Sequence, residues 1–131
     1  MFQKISIIKI QNFYTPDELD LIWRELDFLT SEFKLLSPRG TGSATSEEGI
    51  PLKNNHGLFL DEVYFNRNVS DILSVNRKIF DPQIASEMSR MDPVFRTIEL
   101  CDEDNTLLSY YENSDYYDAH TDRANLSILS Y

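Results

Sequence analysis

Leu107-Leu108-Ser109-Tyr110-Tyr111-Glu112-Asn113-Ser114-Asp115-Tyr116-Tyr117-Asp118-Ala119-His120-Thr121-Asp122 is the stretch that decides the reading of this chain. It divides into two strand-like pieces, Thr106 to Glu112 and Tyr116 to Asp122, with Asn113-Ser114-Asp115 supplying the turn between them. Along an extended chain, side chains two apart point to the same face. The imidazole of His120 and the carboxylate of Asp122 are therefore spaced to grip one metal ion from one side. Two ligands do not complete a site, because the facial arrangement that binds non-haem Fe(II) takes two histidines and one carboxylate and leaves the other positions open. With 2 histidines in the chain, a bare His-x-Asp is a weak signal, so its surroundings have to carry the argument.

Downstream, Asn125 to Tyr131 forms a third strand-like piece in which Leu126 and Ile128 alternate with Ser127. An apolar edge of this kind is normally covered or paired. The expectation is that more chain follows Tyr131, or that a partner completes the sheet, with self-association through the open edge as one outcome.

Upstream of the acidic turn Asp102-Glu103-Asp104-Asn105 the pattern is mainly helical. Lys4 to Asn12 is isoleucine-rich and reads as a half-buried strand. Thr15-Pro16-Asp17-Glu18 then joins a capping hydroxyl, a proline at the first helical position and a glutamate three residues after the cap, with Tyr14 and Leu19 as a candidate hydrophobic staple. Leu19, Ile22, Trp23, Leu26, Leu29 and Phe33 fall on one stripe, the mark of an amphipathic helix. Ser37 to Gly49 is rich in Gly, Ser and Thr and reads as a loop. Gly57 to Phe65 suits a short strand, Ser70 to Phe80 a helix capped by Ser70, and Asp81-Pro82 the start of another towards Arg90, broken or restarted at Asp92-Pro93. Helices early and strands late predict an α+β fold with helices packed on one side of an antiparallel sheet.

At 131 residues the chain reads as a single domain, with a support region over 1–105 and the strand-rich core beginning at 106–131. Its 22 acidic against 12 basic residues give a net charge of -10, which argues against an electrostatic grip on nucleic acid or on anionic membrane lipid. No run approaches the ~20 apolar residues of a membrane span. The single Cys101 permits no internal disulfide and reads as a small buried hydrophobe, and Lys4 and Lys9 interrupt the apolar start, so the expected compartment is the cytoplasm.

In this setting Tyr111 lies nine residues before His120 and Tyr117 three before it, with a turn between them and an apolar strand after Asp122. The chain thereby resembles the 2-oxoglutarate and Fe(II)-dependent oxygenases of the prolyl-4-hydroxylase-like branch. Their pattern places Tyr, Gly, Tyr and His-x-Asp at intervals of three, followed by a Leu-Thr-x-x-x-Tyr strand. The matching residues are Tyr111, Ser114, Tyr117, His120 and Asp122, then Leu126-Ser127-Ile128-Leu129-Ser130-Tyr131. Ser114 stands where the pattern has glycine, a tolerable change if the turn does not demand positive φ. Asn12-Phe13-Tyr14-Thr15-Pro16-Asp17-Glu18-Leu19 also looks like the family's opening strand and first helix.

The resemblance implies N-terminal helices on a double-stranded β-helix, or jelly roll, here incomplete. His120 and Asp122 would be iron ligands, Tyr111 and Tyr131 would face the 2-oxoglutarate co-substrate, and Tyr117 would line the substrate side. Iron and 2-oxoglutarate, with ascorbate as an accessory reductant, would hydroxylate a small molecule or a peptide, prolyl residues included. The family's third ligand, a later histidine, and the Arg or Lys that anchors the co-substrate have no counterpart after Asp122, since Arg123 is too close. His56 precedes the motif and reads as a solvated loop residue. The expectation is therefore part of a dioxygenase that does not turn over as this isolated chain. The competing readings are a non-catalytic acidic binding or assembly module and, keeping the metal without the keto acid, a hydrolase or cupin-type isomerase.

Overall fold

A computed structural model describes residues 6–32, 45–120 and 126–130. The first helix, α1 (Pro16–Glu32), begins with the reciprocal cap that its sequence encodes. The Glu18 N–H donates to Thr15 Oγ1 at 3.2 Å and the Thr15 N–H donates to Glu18 Oε2 at 2.8 Å. Ile22, Leu26 and Leu29 lie on the inward face, Leu29 fully buried, whereas Trp23 points outward and is 62% exposed, against its expected place on the stripe. A helical period of 3.6 puts residues 22, 25, 26 and 29 on one side and residue 23 well off it.

The buried position between them is Glu25. Its carboxylate accepts from Ser70 Oγ–H at 2.6 Å, from the Ile72 N–H at 2.7 Å and from the Tyr64 hydroxyl. These bonds tie α1 to the start of a later helix whose own cap is Ser70, with the Leu73 N–H donating to Ser70 Oγ at 3.0 Å. Burial, together with the Glu25 carboxylate beside it, pushes the Tyr64 hydroxyl above the usual phenol range.

The middle of the chain runs through β1 (Lys53–Asn54), β2 (His56–Phe59), the single-turn α2 (Leu60–Val63), a 3₁₀ turn (Arg67–Val69) and α3 (Asp71–Asn76), which tightens into 3₁₀ geometry at Arg77–Phe80. α4 (Pro82–Met91) follows, then a 3₁₀ segment (Pro93–Leu100), each opening with an aspartate cap and a proline. Asp81 accepts from the Gln83 N–H at 2.9 Å and Asp92 from the Val94 N–H at 3.1 Å, so Asp92-Pro93 restarts the helical chain rather than only breaking it. The strands β3 (Leu107–Tyr110) and β4 (Tyr116–Tyr117) close the order.

β3 and β4 do not pair with each other. Both pair antiparallel with the earlier β2 and β1, so strands do not all come late. His56 faces Tyr110 and Phe59 faces Leu107 at one end, and Lys53 faces Tyr117 and Asn54 faces Tyr116 at the other. Between them the single Asn55 stands opposite five residues, Tyr111 to Asp115, which leave the ladder as an excursion. The Asp118 N–H donates to the Leu52 carbonyl at 2.6 Å and carries the ladder one step further.

There are two hydrophobic clusters among the described residues, and the first supports this ladder. Leu29, Leu58, Leu60, Ile72 and Leu73 join α1, β2 and α3, with Leu108 packed against them. Ile79, Ala85, Met88, Phe95 and Ile98 form the second, closed over by Ile8, Phe13 and Leu126. The acidic turn before β3 is held by Arg67, which donates to Asp61 at 2.6 Å and to Asp104 Oδ2 at 2.7 Å, and by Arg77, which donates to Asp104 Oδ1 at 2.7 Å.

Several expectations are corrected here. Residues 6–12 form no strand: Ile8 packs against the second cluster while Ile7 and Ile10 face solvent, so the β-branched run has no ladder to join. Residues 126–130 form no strand either, because Leu126 packs into the second cluster and the Ser130 hydroxyl hydrogen-bonds the Tyr14 hydroxyl at 3.0 Å. The proposed strand over Gly57 to Phe65 turns into α2 at Leu60. The fold is mixed helix and sheet, and the sheets among the described residues are two-stranded. Most of the Ser37 to Gly49 loop lies outside the described residues. No helix among the described residues is long and apolar enough to cross a membrane.

Candidate functional site

The Tyr111 to Asp115 excursion is closed by its own polar groups. The Asp115 N–H donates to the Glu112 carbonyl at 3.0 Å, the Glu112 N–H donates to Asp115 Oδ2 at 2.7 Å, and Asn54 Nδ2 donates across the ladder to Asp115 Oδ1 at 3.3 Å. In this four-residue turn Ser114 is the third residue and takes φ 74°. A turn with positive φ at that position alone is of the type that favours glycine. The condition under which serine would be a neutral replacement is thus not met, and Ser114 sits in a backbone region that costs a side chain of order 1 kcal/mol or more.

Beyond the turn, β4 aims the chain at the motif. The rings of Tyr117 and His120 are stacked parallel, with centroids 3.9 Å apart. His120 Nδ1 lies 2.9 Å from the Asp118 carbonyl oxygen. A carbonyl only accepts, so this bond requires the proton on Nδ1 and puts the imidazole lone pair on Nε2, the tautomer that suits a metal ligand. Across the ladder from Tyr117, the ammonium of Lys53 lies 5.5 Å from the ring centroid. Lys53 is 4% exposed, and burial lowers its pKa from the usual lysine range. A cation over an aromatic ring contributes about 0.5 to 2 kcal/mol, more when both are withdrawn from water.

The sequence-derived candidates are thus brought together in part. His120 and Tyr117 are in direct contact, His120 exposed and Tyr117 half-buried. Tyr111 stands exposed at the start of the excursion, near the exposed Tyr110 and Tyr116. Asp122 and Tyr131 lie outside the described residues. His56 is on β2 rather than in a loop, its ring 6.5 Å from that of Tyr110. Cys101 is half-buried at the end of a 3₁₀ segment, its thiol 3.3 Å from the Thr97 carbonyl. Among the described residues no three His, Cys, Asp or Glu side chains converge as a metal site. His120 fits an iron ion as a single donor, but the described residues alone do not make a ligand set.

Two residues at the ladder escape a reading of sequence patterns. Lys53 and Asn55 are both buried, and Asn55 Oδ1 has no hydrogen-bond partner among the described residues. They fall in Lys53-Asn54-Asn55-His56, a polar run without the apolar alternation that marks a strand, so only the pairing with Tyr116 and Tyr117 reveals them. Comparison with family models, with curated proteins and with solved structures gives no match for the chain.

Proposed function

We propose that this chain carries the first iron ligands of a 2-oxoglutarate and Fe(II)-dependent dioxygenase that hydroxylates a small molecule or a peptide. The observation that carries the reading is the state of His120: an exposed imidazole, stacked on Tyr117 and bonded through Nδ1–H to a backbone carbonyl, in the tautomer that directs Nε2 to a metal. Positive φ at Ser114 supports it, because the family pattern has glycine there. On this reading the ladder of β1 and β2 with β3 and β4 begins a double-stranded β-helix, and Asp122 joins His120 on the ion. Tyr111 and Tyr131 face the co-substrate, and Tyr117 borders the substrate. Bound iron and 2-oxoglutarate would supply the oxygen activation, while the chain's own part is to hold the imidazole at a fixed angle and limit water.

The 131 residues lack a later histidine and a spaced basic anchor, so the isolated chain is expected to bind iron weakly and to form no succinate. Succinate above the iron-only background would overturn that statement. For the family assignment, the decisive test is anaerobic titration with Fe(II) and then 2-oxoglutarate of a longer chain carrying a downstream histidine and base. A chelate absorption band supports the dioxygenase, and its absence there removes it. The exposed Tyr110, Tyr111 and Tyr116, on a chain of net charge -10, favour the second reading, a non-catalytic binding module, and that module gives no such band.

A further inference from the structure

The geometry points to Lys53 as a positioning residue that acts through Tyr117 to fix the ring of His120. The inference rests on the reading of His120 as a metal ligand for its purpose, but its geometry is independent of any metal. An exposed imidazole three residues beyond a two-residue strand has rotamer freedom to lose, and its orientation needs restraints from outside its own side chain. Three are present. The backbone is pinned where the Asp118 N–H meets the Leu52 carbonyl at 2.6 Å, the ring is bonded to the Asp118 carbonyl at 2.9 Å, and its face lies on Tyr117 at 3.9 Å. The last restraint is only as good as the Tyr117 ring is steady.

Lys53 is placed to steady it. It is the registered partner of Tyr117 across the ladder, so the two side chains share one face of the pair. Its ammonium is 5.5 Å from the ring centroid, and its near-complete burial removes the water that would otherwise weaken such an attraction. On the next residue pair, Asn54 reaches Asp115 and ties the same register to the excursion. Among the described residues the path from Lys53 to His120 runs through the Tyr117 ring, so the role assigned to Lys53 is to hold that ring.

The chain's 2 histidines allow a direct readout. Long-range ¹H–¹⁵N spectra of the imidazoles, recorded on the whole chain at mildly alkaline pH, should show His120 with its proton on Nδ1 and its ring protons moved upfield by the Tyr117 face. His56, on β2, serves as the internal reference for a folded ladder. Tyr117→Leu should abolish the upfield displacement and Tyr117→Phe retain it. Lys53→Met should return His120 to a mixture of tautomers with a smaller displacement, and Lys53→Arg should restore the original pattern. If Lys53→Met also moves the His56 signals, Lys53→Gln is read in its place. An unchanged His120 pattern in the uncharged Lys53 variant, beside a changed one in Tyr117→Leu, overturns the role of Lys53; no change in either overturns the restraint altogether. Fe(II) added under argon then tests the other reading separately. Broadening of the His120 signals supports its ligand role, whereas sharp signals with an intact stack remove the metal and leave the positioning in place.

Discussion

At one end of the ladder Leu58 and Leu108 press into a cluster shared with Leu29, Leu60, Ile72 and Leu73; at the other, on β1 and β4, Lys53 and Tyr117 support an exposed His120. The backbone pairing is of one kind, but the forces are not. The inner end is held by burial of apolar surface, which is tolerant of direction. The outer end is held by a ring stack, a buried ammonium and a few hydrogen bonds, each of which fixes an angle. The five-residue excursion separates the two and lets the outer end take a register that the core does not dictate. A rigid core thus supports a site whose orientation is set by polar geometry.

Removing the packing should do the most damage. Leu58→Ala is expected to destabilise the fold by about 3 kcal/mol in denaturant unfolding, through lost burial and the cavity left behind. A cost near zero would show that the inner end is not the support. Tyr117→Ala at the outer end should cost only about 1 kcal/mol, since it removes ring contacts from a half-buried site. A loss comparable to that of Leu58→Ala would erase the distinction between the ends.

Relieving the excursion should have the opposite sign. Ser114→Gly is expected to stabilise by about 1 kcal/mol, because glycine accepts the positive φ that serine occupies at a cost. Equal midpoints for the two proteins would mean that the turn is not strained.

The smallest effect lies remote from the ladder. The bond from Lys78 at 2.6 Å and the cap to Thr15 hold the Glu18 carboxyl below its usual range. A carboxyl lowered in the folded state contributes stability that is complete above the ordinary glutamate value and is lost as pH falls through the lowered one. Helicity at the start of α1 should therefore decline on acidification in the wild type, and Glu18→Gln should flatten that part of the profile.

How much of this was legible depended on the distance over which each signal acts. Thr15 with Glu18, Ser70 and Asp81 all cap where their sequence implies, because a cap needs only the next three residues. The strand pieces around Leu107 and Tyr116 were visible in their aromatic content, and the turn at Asn113 to Asp115 in its polar residues. Their partners were not, because Lys53 to Phe59 lies about 50 residues away and starts with a polar run. The isoleucine-rich start misleads for a related reason: β-branched residues describe a surface that suits a strand, but Ile8 found a helical cluster instead. At the site, the motif singled out His120 and Tyr117 but not their stacking, and Lys53 was invisible until the pairing was known.

Tyr14 gives the molecule a folding order. Its hydroxyl donates to Asn76 Oδ1 at 2.7 Å and shares a hydrogen bond with the Ser130 hydroxyl at 3.0 Å, partners 62 and 116 residues distant, while Phe13 beside it and Leu126 close over the cluster built by α4 and the segment after it. Contacts between neighbouring helices form early because little chain entropy is spent on closing their loops, whereas these two closures draw in almost the whole chain. The helical pair is thus expected to assemble first and its cover last, and weakening the cover with Phe13→Ala should speed unfolding while leaving the folding rate nearly unchanged.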